Sequence, residues 1–539
     1  MKKFFWIYFI CIIVFAIALR FWQLGQIPAG FHSDEAAFGY NAYSLLKTGK
    51  DEYGKPFPLI LKSFSDYKAA VYSYLTIPFI AVRGLNEWSV RAPSAVLGII
   101  FVLLTYALVY QLSKDRMLAI VAMALAAISP LGIELSRVQS DPLVCITFFY
   151  AVLYFWFLFE EKRQARYMFL SIFMLILSFY TNTVTRIFAV PFFFLIGYWY
   201  WPRFDKQLRT IFAALCIGVL ILVAVLYMSP AGERFTQVTV FSKMDVQLPL
   251  DEELREDGQG YLPLVVTRMV HNKVTAYGRF LIKNYTDYLG FPFLFLQALQ
   301  PNREQIPNMG VLLIVELPFL LMGIYTAIRR HLRYGLLSIV WFLLVPAVLC
   351  IASDETPNIH RFFLAMIPIH TLVALGIISG IRMVRSRYRR IVTGIIVLIF
   401  LANVAYFLHQ LMVHQPVHNP IYRNAVDKEL ALDLKNRYAS YEVIVSQKIL
   451  EQILFFWPVD PAMYQKRGSP RDYDNAWYDK LFFVTDACPS NLASPAVRAI
   501  RAKRILYIDK AECTMEPGDT VVGTIRYGNT LAAYYLVEK

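Results

Sequence analysis

Apolar residues in this chain gather into long unbroken runs, and the polar residues fall in short stretches between them. A run of about 18 or more apolar residues can cross a bilayer as a helix. Eleven runs meet or approach that length: 4–24, 89–112, 117–133, 139–159, 168–181, 185–202, 209–228, 309–328, 334–351, 361–381 and 391–410. Runs 117–133 and 168–181 are the shortest. The first run follows Met1-Lys2-Lys3 and has no small-residue cleavage site after it, so an uncleaved signal anchor is expected. Two long segments interrupt the series, 25–88 and 229–308. Beyond residue 410 the pattern changes. Short apolar stretches at 441–446, 480–485, 504–509, 520–527 and 532–537 alternate with polar, helix-compatible sequence, which predicts a small α/β domain.

Charge orients this series. The chain of 539 residues is 57% hydrophobic and 17% charged, against about 25% charged in a soluble domain. A soluble multidomain enzyme and a disordered chain are both excluded. Lys and Arg number 53 against 39 Asp and Glu, a net charge of +14. Cytoplasmic loops collect Lys and Arg. Loops 113–116, 160–167, 203–208, 329–333 and 382–390 are all basic, whereas 134–138, 182–184 and 352–360 hold Arg137 alone. The N-terminus is therefore expected in the cytoplasm, with 25–88, 229–308 and 411–539 outside. The expected division is a transmembrane domain at 1–410 and an extracytoplasmic α/β domain at 411–539. The basic balance follows largely from topology, and no nucleic-acid partner is expected. Cys488 and Cys513 share the external domain, where a disulfide is open to them; the other four cysteines fall in apolar runs.

The first outside segment is richest in candidate chemistry. It contains Phe31-His32-Ser33-Asp34-Glu35-Ala36-Ala37-Phe38. Ser33 is a good N-cap and Gly49 a natural stop, which predicts a helix over 34–48. Phe38, Ala42, Leu45 and Leu46 make one apolar face, so the helix is expected to lie along the membrane surface. Asp34 and Glu35 sit in its first turn. They could complement the helix dipole, or one could act as a general base at a membrane-facing cleft. Lys68, after Tyr67, could snorkel at an interface or hold a lipid phosphate. Arg137 and Asp141, four apart, would share a helix face and could pair.

In the long loop, residues 268–285 form a basic amphipathic stretch with Arg268 and His271, suited to an anionic membrane face or to a phosphate. The sequon Asn284-Tyr285-Thr286 is a weak glycosylation signal. Glu316 and His370 are ionisable residues inside apolar runs, where such groups are costly and often functional. No Walker A, dinucleotide glycine fingerprint or HExxH motif stands in a credible context.

Taken in order, several of these pieces resemble glycosyltransferase family 39, which includes the protein O-mannosyltransferases and the bacterial aminoarabinose transferases. The matching residues are Asp34-Glu35, Tyr53-Gly54, Lys68, Arg91-Ala92-Pro93-Ser94, and Ser129-Pro130 running to Arg137 and Asp141. Glu316-Leu317-Pro318 and His360-Arg361-Phe362 with Pro368 complete the series. The resemblance implies a type C glycosyltransferase fold and a polyprenyl-phosphate-linked sugar donor used outside the membrane. It implies Asp34 as general base, Glu35 in support, and donor phosphate on Lys68, with Arg137, Arg268 or Arg361. It brings Tyr67, Asp141, His271, Glu316 and His360 in as further candidates, and a divalent metal could sit at the Asp34/Glu35 pair. The aminoarabinose branch has Glu-Lys-Pro where this chain has Tyr67-Lys68-Ala69. The acceptor could be a lipid, a glycan or a protein. A transporter or flippase for a lipid-linked saccharide is the alternative, and a receptor or scaffold built on the C-terminal domain is a third reading.

Overall fold

A computed structural model describes residues 2–63, 66–228, 239–240, 244, 246–260, 262–298, 300–353, 355–418, 420–471 and 473–539. Parts of the long segments 25–88 and 229–308, Ser65 among them, lie outside the described residues. The chain divides into two compact units. One comprises 1–20, 94–136 and 140–408. The other comprises 21–93, 137–139 and 409–539, so the first long loop clusters with the C-terminal region.

The first unit is built of apolar helices. A helix lies at each of the eleven apolar runs, beginning with α1 (Lys2–Phe21). Among the described residues six helices are long and apolar enough to cross a membrane unaided: Glu87–Ser113, Asp141–Lys162, Thr183–Arg203, Lys206–Tyr227, Ile359–Met383 and Ser386–His418. Run 117–133 is a broken element, Arg116–Ile128 followed by Pro130–Ser136 with a 56° bend. Pro130 has no N–H to continue the ladder. Run 309–328 forms a helix only from Glu316 to Arg329. The backbone N–H groups of Val311 and Leu312 instead donate to the carbonyls of Phe293 and Leu294, at 3.2 and 2.9 Å.

The outward faces of these helices are greasy. Ile217, Ile221 and Val225 on one helix, and Ile391, Val397 and Leu398 on another, are each at least half exposed. Water would not tolerate such faces over whole helices, whereas lipid covers them at no cost. The chain is a multi-pass membrane protein. Inside the unit, two helices meet through glycine. A Cβ on Gly323 would fall 1.9 Å from the carbonyl oxygen of Leu372, and one on Gly376 1.8 Å from that of Phe319. Small residues on both helices permit this backbone approach.

The second unit carries a mixed sheet. After a hairpin of β1 (Ile60–Ser63) and β2 (Asp66–Ala69), the strands are β3 (Val443–Gln447), β4 (Ala476–Tyr478), β5 (Leu481–Val484), β6 (Ile505–Lys510), β7 (Thr520–Arg526) and β8 (Ala532–Glu538). The six C-terminal strands lie in the order β4-β5-β3-β6-β8-β7, with β3 parallel to β5 and β6 and the remaining pairs antiparallel. Strand alternation sorts the core into two faces. Val443 and Val445 pack with Phe482, Tyr507 and Val537 on one face. Ile444 packs with Leu430, Ile453, Phe483 and Leu506 on the other. Cys488 and Cys513 form a disulfide across 25 positions. All five predicted strands are present. The additional β4 is three residues long, too short to show as a pattern.

Candidate active site around the first long loop

The helix predicted over 34–48 is α2 (Ser33–Thr48), stopped at Gly49, whose φ of 69° suits a residue without a Cβ. Its N-cap is His32, one residue earlier than expected. The His32 Nδ1 accepts from the Asp34 N–H at 3.2 Å, and the His32 N–H donates to Glu35 Oε2 at 3.1 Å. Ser33 is free to serve elsewhere, and its hydroxyl accepts from Gln452 at 3.0 Å.

α2 does not lie on the membrane through the face that the sequence suggests. Phe38, Ala42 and Leu45 are buried within the protein, and only Leu46 of that face is exposed. Phe38 meets Tyr72 with ring centroids 5.7 Å apart, and Tyr40 on the opposite side meets Tyr464 at the same distance. Both sides of α2 are core, which its apolar spacing alone does not distinguish from a single greasy face.

The two first-turn acids have different surroundings. Glu35 has a side chain 3% exposed, against 29% for Asp34. Its Oε1 accepts from Arg91 Nε at 2.9 Å and from the Gln139 N–H at 3.2 Å. Its Oε2 accepts from Arg91 Nη2 at 3.2 Å, Arg423 Nη2 at 3.4 Å and the His32 N–H. Burial alone would raise its pKa. Arg91 and Arg423, with the hydrogen bonds from Arg91 and the His32 backbone, bring it below the ordinary 4.5. Arg91 also donates to the carbonyls of Leu24, Pro28 and Gly30 at 3.2, 3.0 and 2.6 Å. Arg423 donates to that of Ala29 at 3.1 Å. These bonds bind the segment that enters α2 to the Glu35 carboxylate.

Asp34 pairs instead with Lys68 on β2, through Oδ1. The Lys68 Nζ also stands 5.8 Å above the Phe38 ring. The Asp34 Oδ2 lies 3.6 Å from His32 Nδ1. Thus one acid of the pair is enclosed by arginines, and the other is part-open beside one lysine. Tyr67, next to Lys68, is exposed.

The other candidates fall as follows. Arg137 is buried and donates to the carbonyls of Trp22 and Ile27 at 2.6 and 3.0 Å. It does not share a helix with Asp141, because one helix ends at Ser136 and the next starts at Asp141. Asp141 accepts from Asn182 at 2.6 Å. Arg268 is exposed on the helix Leu264–Val270. The basic stretch is two helices, because Asn272 caps a second one, Lys273–Leu289. His271 between them faces Asp257 at 3.2 Å. Asn284 is buried and donates to the carbonyls of Cys350 and Ala352, so that sequon is structural packing. His360 is buried 3.4 Å from Glu304, and Arg361 is half-buried beside it. Glu316 accepts from the Leu313 N–H at 3.2 Å, and no ion pair joins it to His370. Asp34, Glu35, Tyr67, Lys68 and Arg137 belong to one unit; Asp141, Arg268, His271, Glu316, His360 and Arg361 belong to the other.

The Asp34/Glu35 pair fits a divalent metal poorly. Both Glu35 oxygens already accept from cations and N–H groups, and Asp34 is matched by Lys68. Among the described residues no group of three or more His, Cys, Asp or Glu is arranged to hold a metal. No step through a metal is derived.

Residues 67–228 match a family model described as dolichyl-phosphate-mannose-protein mannosyltransferase. Over that segment the chain is similar to this family of membrane glycosyltransferases. The matched segment includes Lys68, Arg137 and Asp141, and begins after Asp34 and Glu35. Solved structures extend the likeness across the whole chain. ArnT from Cupriavidus metallidurans in the apo state superposes with a TM-score of 0.50 at 12% identity, covering 100% of this chain and 98% of that one. The same protein bound to undecaprenyl phosphate gives 0.50 at 11%, covering 98% and 97%. The archaeal oligosaccharyltransferase AglB from Archaeoglobus fulgidus, in complex with an inhibitory peptide and a dolichol-phosphate, gives 0.51 at 12%, covering 84% of this chain and 64% of that one. At such identities the likeness establishes the fold, that of type C glycosyltransferases. No curated protein matches this chain in sequence.

Two residues of the site escaped the sequence reading. Arg423 lies 388 positions from Glu35, and Arg471 lies 419 from Glu52. No spacing rule links residues so far apart.

Proposed function

We propose that this membrane glycosyltransferase moves a sugar from a polyprenyl-phosphate-linked donor to an acceptor hydroxyl on the extracytoplasmic side, with Asp34 as general base. The carrying observation is the sorting of the two first-turn acids. Glu35 is buried and saturated by arginines, whereas Asp34 is part-open and bound to one lysine. The undecaprenyl phosphate and dolichol-phosphate bound by ArnT and AglB support a lipid-phosphate donor here. The basic loops at 113–116, 160–167, 203–208, 329–333 and 382–390 support a cytoplasmic N-terminus.

The pair suggests how donor and base could be coupled. Lys68 holds the Asp34 carboxylate in an ion pair. A donor phosphate competes for the same ammonium as a point charge. Once Lys68 turns to the phosphate, the Asp34 carboxylate is released toward the acceptor hydroxyl. It then takes the proton of the acceptor hydroxyl as that oxygen attacks the anomeric carbon. The new C–O bond forms as the bond to the phosphate oxygen breaks, with inversion at the anomeric carbon. The departing lipid phosphate carries the electron pair, and Lys68 stabilises the charge that develops there.

The test is transfer by the purified full-length protein in proteoliposomes with a polyprenyl-phosphate sugar. Asp34→Asn is expected to abolish transfer while leaving expression and melting temperature near wild type. Retained transfer would remove Asp34 as the base.

A further inference from the structure

A domain that only docked an acceptor would need little from the helix bearing the base. Residues 420–471 instead hold that helix at both ends, and through side chains. At the N-terminal end Arg423 reaches the Glu35 carboxylate and the Ala29 carbonyl, while Gln452 donates to Ser33, the residue before Asp34. Close packing accompanies these bonds. Gly30, at φ +83°, would place a Cβ 2.5 Å from the Arg423 carbonyl oxygen. A Cβ on Gly39 would fall 2.6 Å from the Phe455 ring. Midway, Tyr40 donates to the Val459 carbonyl at 3.1 Å.

At the C-terminal end the Gln465 amide lies 3.0 Å from Ser44 Oγ, 2.9 Å from Thr48 Oγ1 and 2.9 Å from the Asp51 carbonyl. Just beyond, Arg471 donates to both Glu52 and Glu451 in a cluster where all three side chains are 1% exposed. Asn41, on α2 itself, donates to Glu52 Oε1 at 3.0 Å and accepts from the Glu52 N–H at 3.1 Å. Charged groups enclosed this way are expensive unless paired, and they hold one arrangement when they are. Such an arrangement fixes where the first turn of α2 points, and therefore where Asp34 stands against Lys68.

We propose that Arg423 and Gln452, with Gln465 and Arg471 at the far end of α2, are positioning residues of the transferase: the C-terminal region holds the base-bearing helix rather than acting as a separable module. This rests on the assignment of Asp34 as base.

The experiment uses full-length protein in proteoliposomes and compares Arg423→Gln, Arg423→Lys, Glu35→Gln and Asp34→Asn at matched folded fraction. Arg423→Gln is expected to lower kcat by about tenfold or more with donor KM within about twofold, the signature of lost geometry rather than lost donor binding. Arg423→Lys should recover part of kcat. Adding Arg423→Gln to Glu35→Gln should cost little beyond Glu35→Gln alone, because the two act through one contact. If Arg423→Gln does not accumulate in folded form, Gln452→Leu is read by the same kcat and KM criterion. Wild-type kcat in the variant so read, beside an inactive Asp34→Asn, overturns the inference and leaves the base in place. Fully additive losses, or a loss confined to donor KM, overturn it as well. Transfer surviving in Asp34→Asn overturns the base assignment and this inference with it.

Discussion

Asp34 and Glu35 share the first turn of α2 and a carboxylate, and almost nothing else. Around Glu35 the protein supplies two guanidinium groups and two backbone N–H groups and excludes water. Around Asp34 it places Lys68 and His32 and leaves the side chain part-open. The difference shows why two acids at the start of a helix need not do the same work. The helix dipole favours both equally. What separates them is the number of cations each must satisfy, and whether a ligand can reach and take those cations away.

Variants that remove one corner at a time sharpen this contrast. The largest effect is expected at Glu35. Glu35→Ala would leave the buried Arg91 without its counter-charge, at a cost of about 3–5 kcal/mol. Denaturation of the purified protein should show that loss, and a stability near wild type would mean the arginines are satisfied by backbone carbonyls alone. Next comes a control in the same unit. Replacing Cys488 and Cys513 by serine opens a 25-residue closure and should cost about 3 kcal/mol. Sugar transfer at permissive temperature should be retained, because the residues of 420–471 that hold α2 lie outside the 488–513 closure; lost transfer with retained stability would mean that the closure also sets the helix in place.

Lys68→Ala should act on the other corner. Donor binding is expected to weaken about tenfold, equivalent to about 1.4 kcal/mol, with acceptor binding changed less. Titration of each substrate would decide, and equal losses would mark a structural lysine. The smallest effect concerns pH. Glu35 has a folded pKa below its ordinary 4.5, so its contribution is present above the unfolded value and lost as pH falls through the folded one. Melting temperature should therefore fall on acidification, and Glu35→Gln should flatten that slope. An unchanged slope would assign the acid limb to other groups.

Much of the fold was legible because lipid and sheet both impose simple periods. The apolar runs marked the helices, and five of the six C-terminal strands showed as alternating stretches. Run 117–133 reads as one span, and its apolar pattern gives no sign of the 56° break at Ser129-Pro130. The start of the helix at Glu316 was hidden, since Val311 and Leu312 are apolar whether helical or bonded to Phe293 and Leu294. In the site, Asp34, Glu35 and Lys68 stand out as charges in a long loop between apolar runs, and Gly49 marks the end of α2. Their sorting could not be read. It depends on Arg91 at a distance of 56 positions and Arg423 at 388, and pairing over such separations leaves no local pattern. Burial of α2 on two sides was missed for a related reason. Phe38 and Tyr40 both look like members of an amphipathic helix until their partners are known.

The central claim is that the part-open acid does chemistry while the enclosed one holds structure. Single-turnover transfer from a polyprenyl-phosphate sugar, measured for Asp34→Asn beside wild type at equal folded amounts, tests it most directly. The account predicts unaltered melting temperature, retained donor binding and no transfer. Transfer at a rate close to wild type would contradict it.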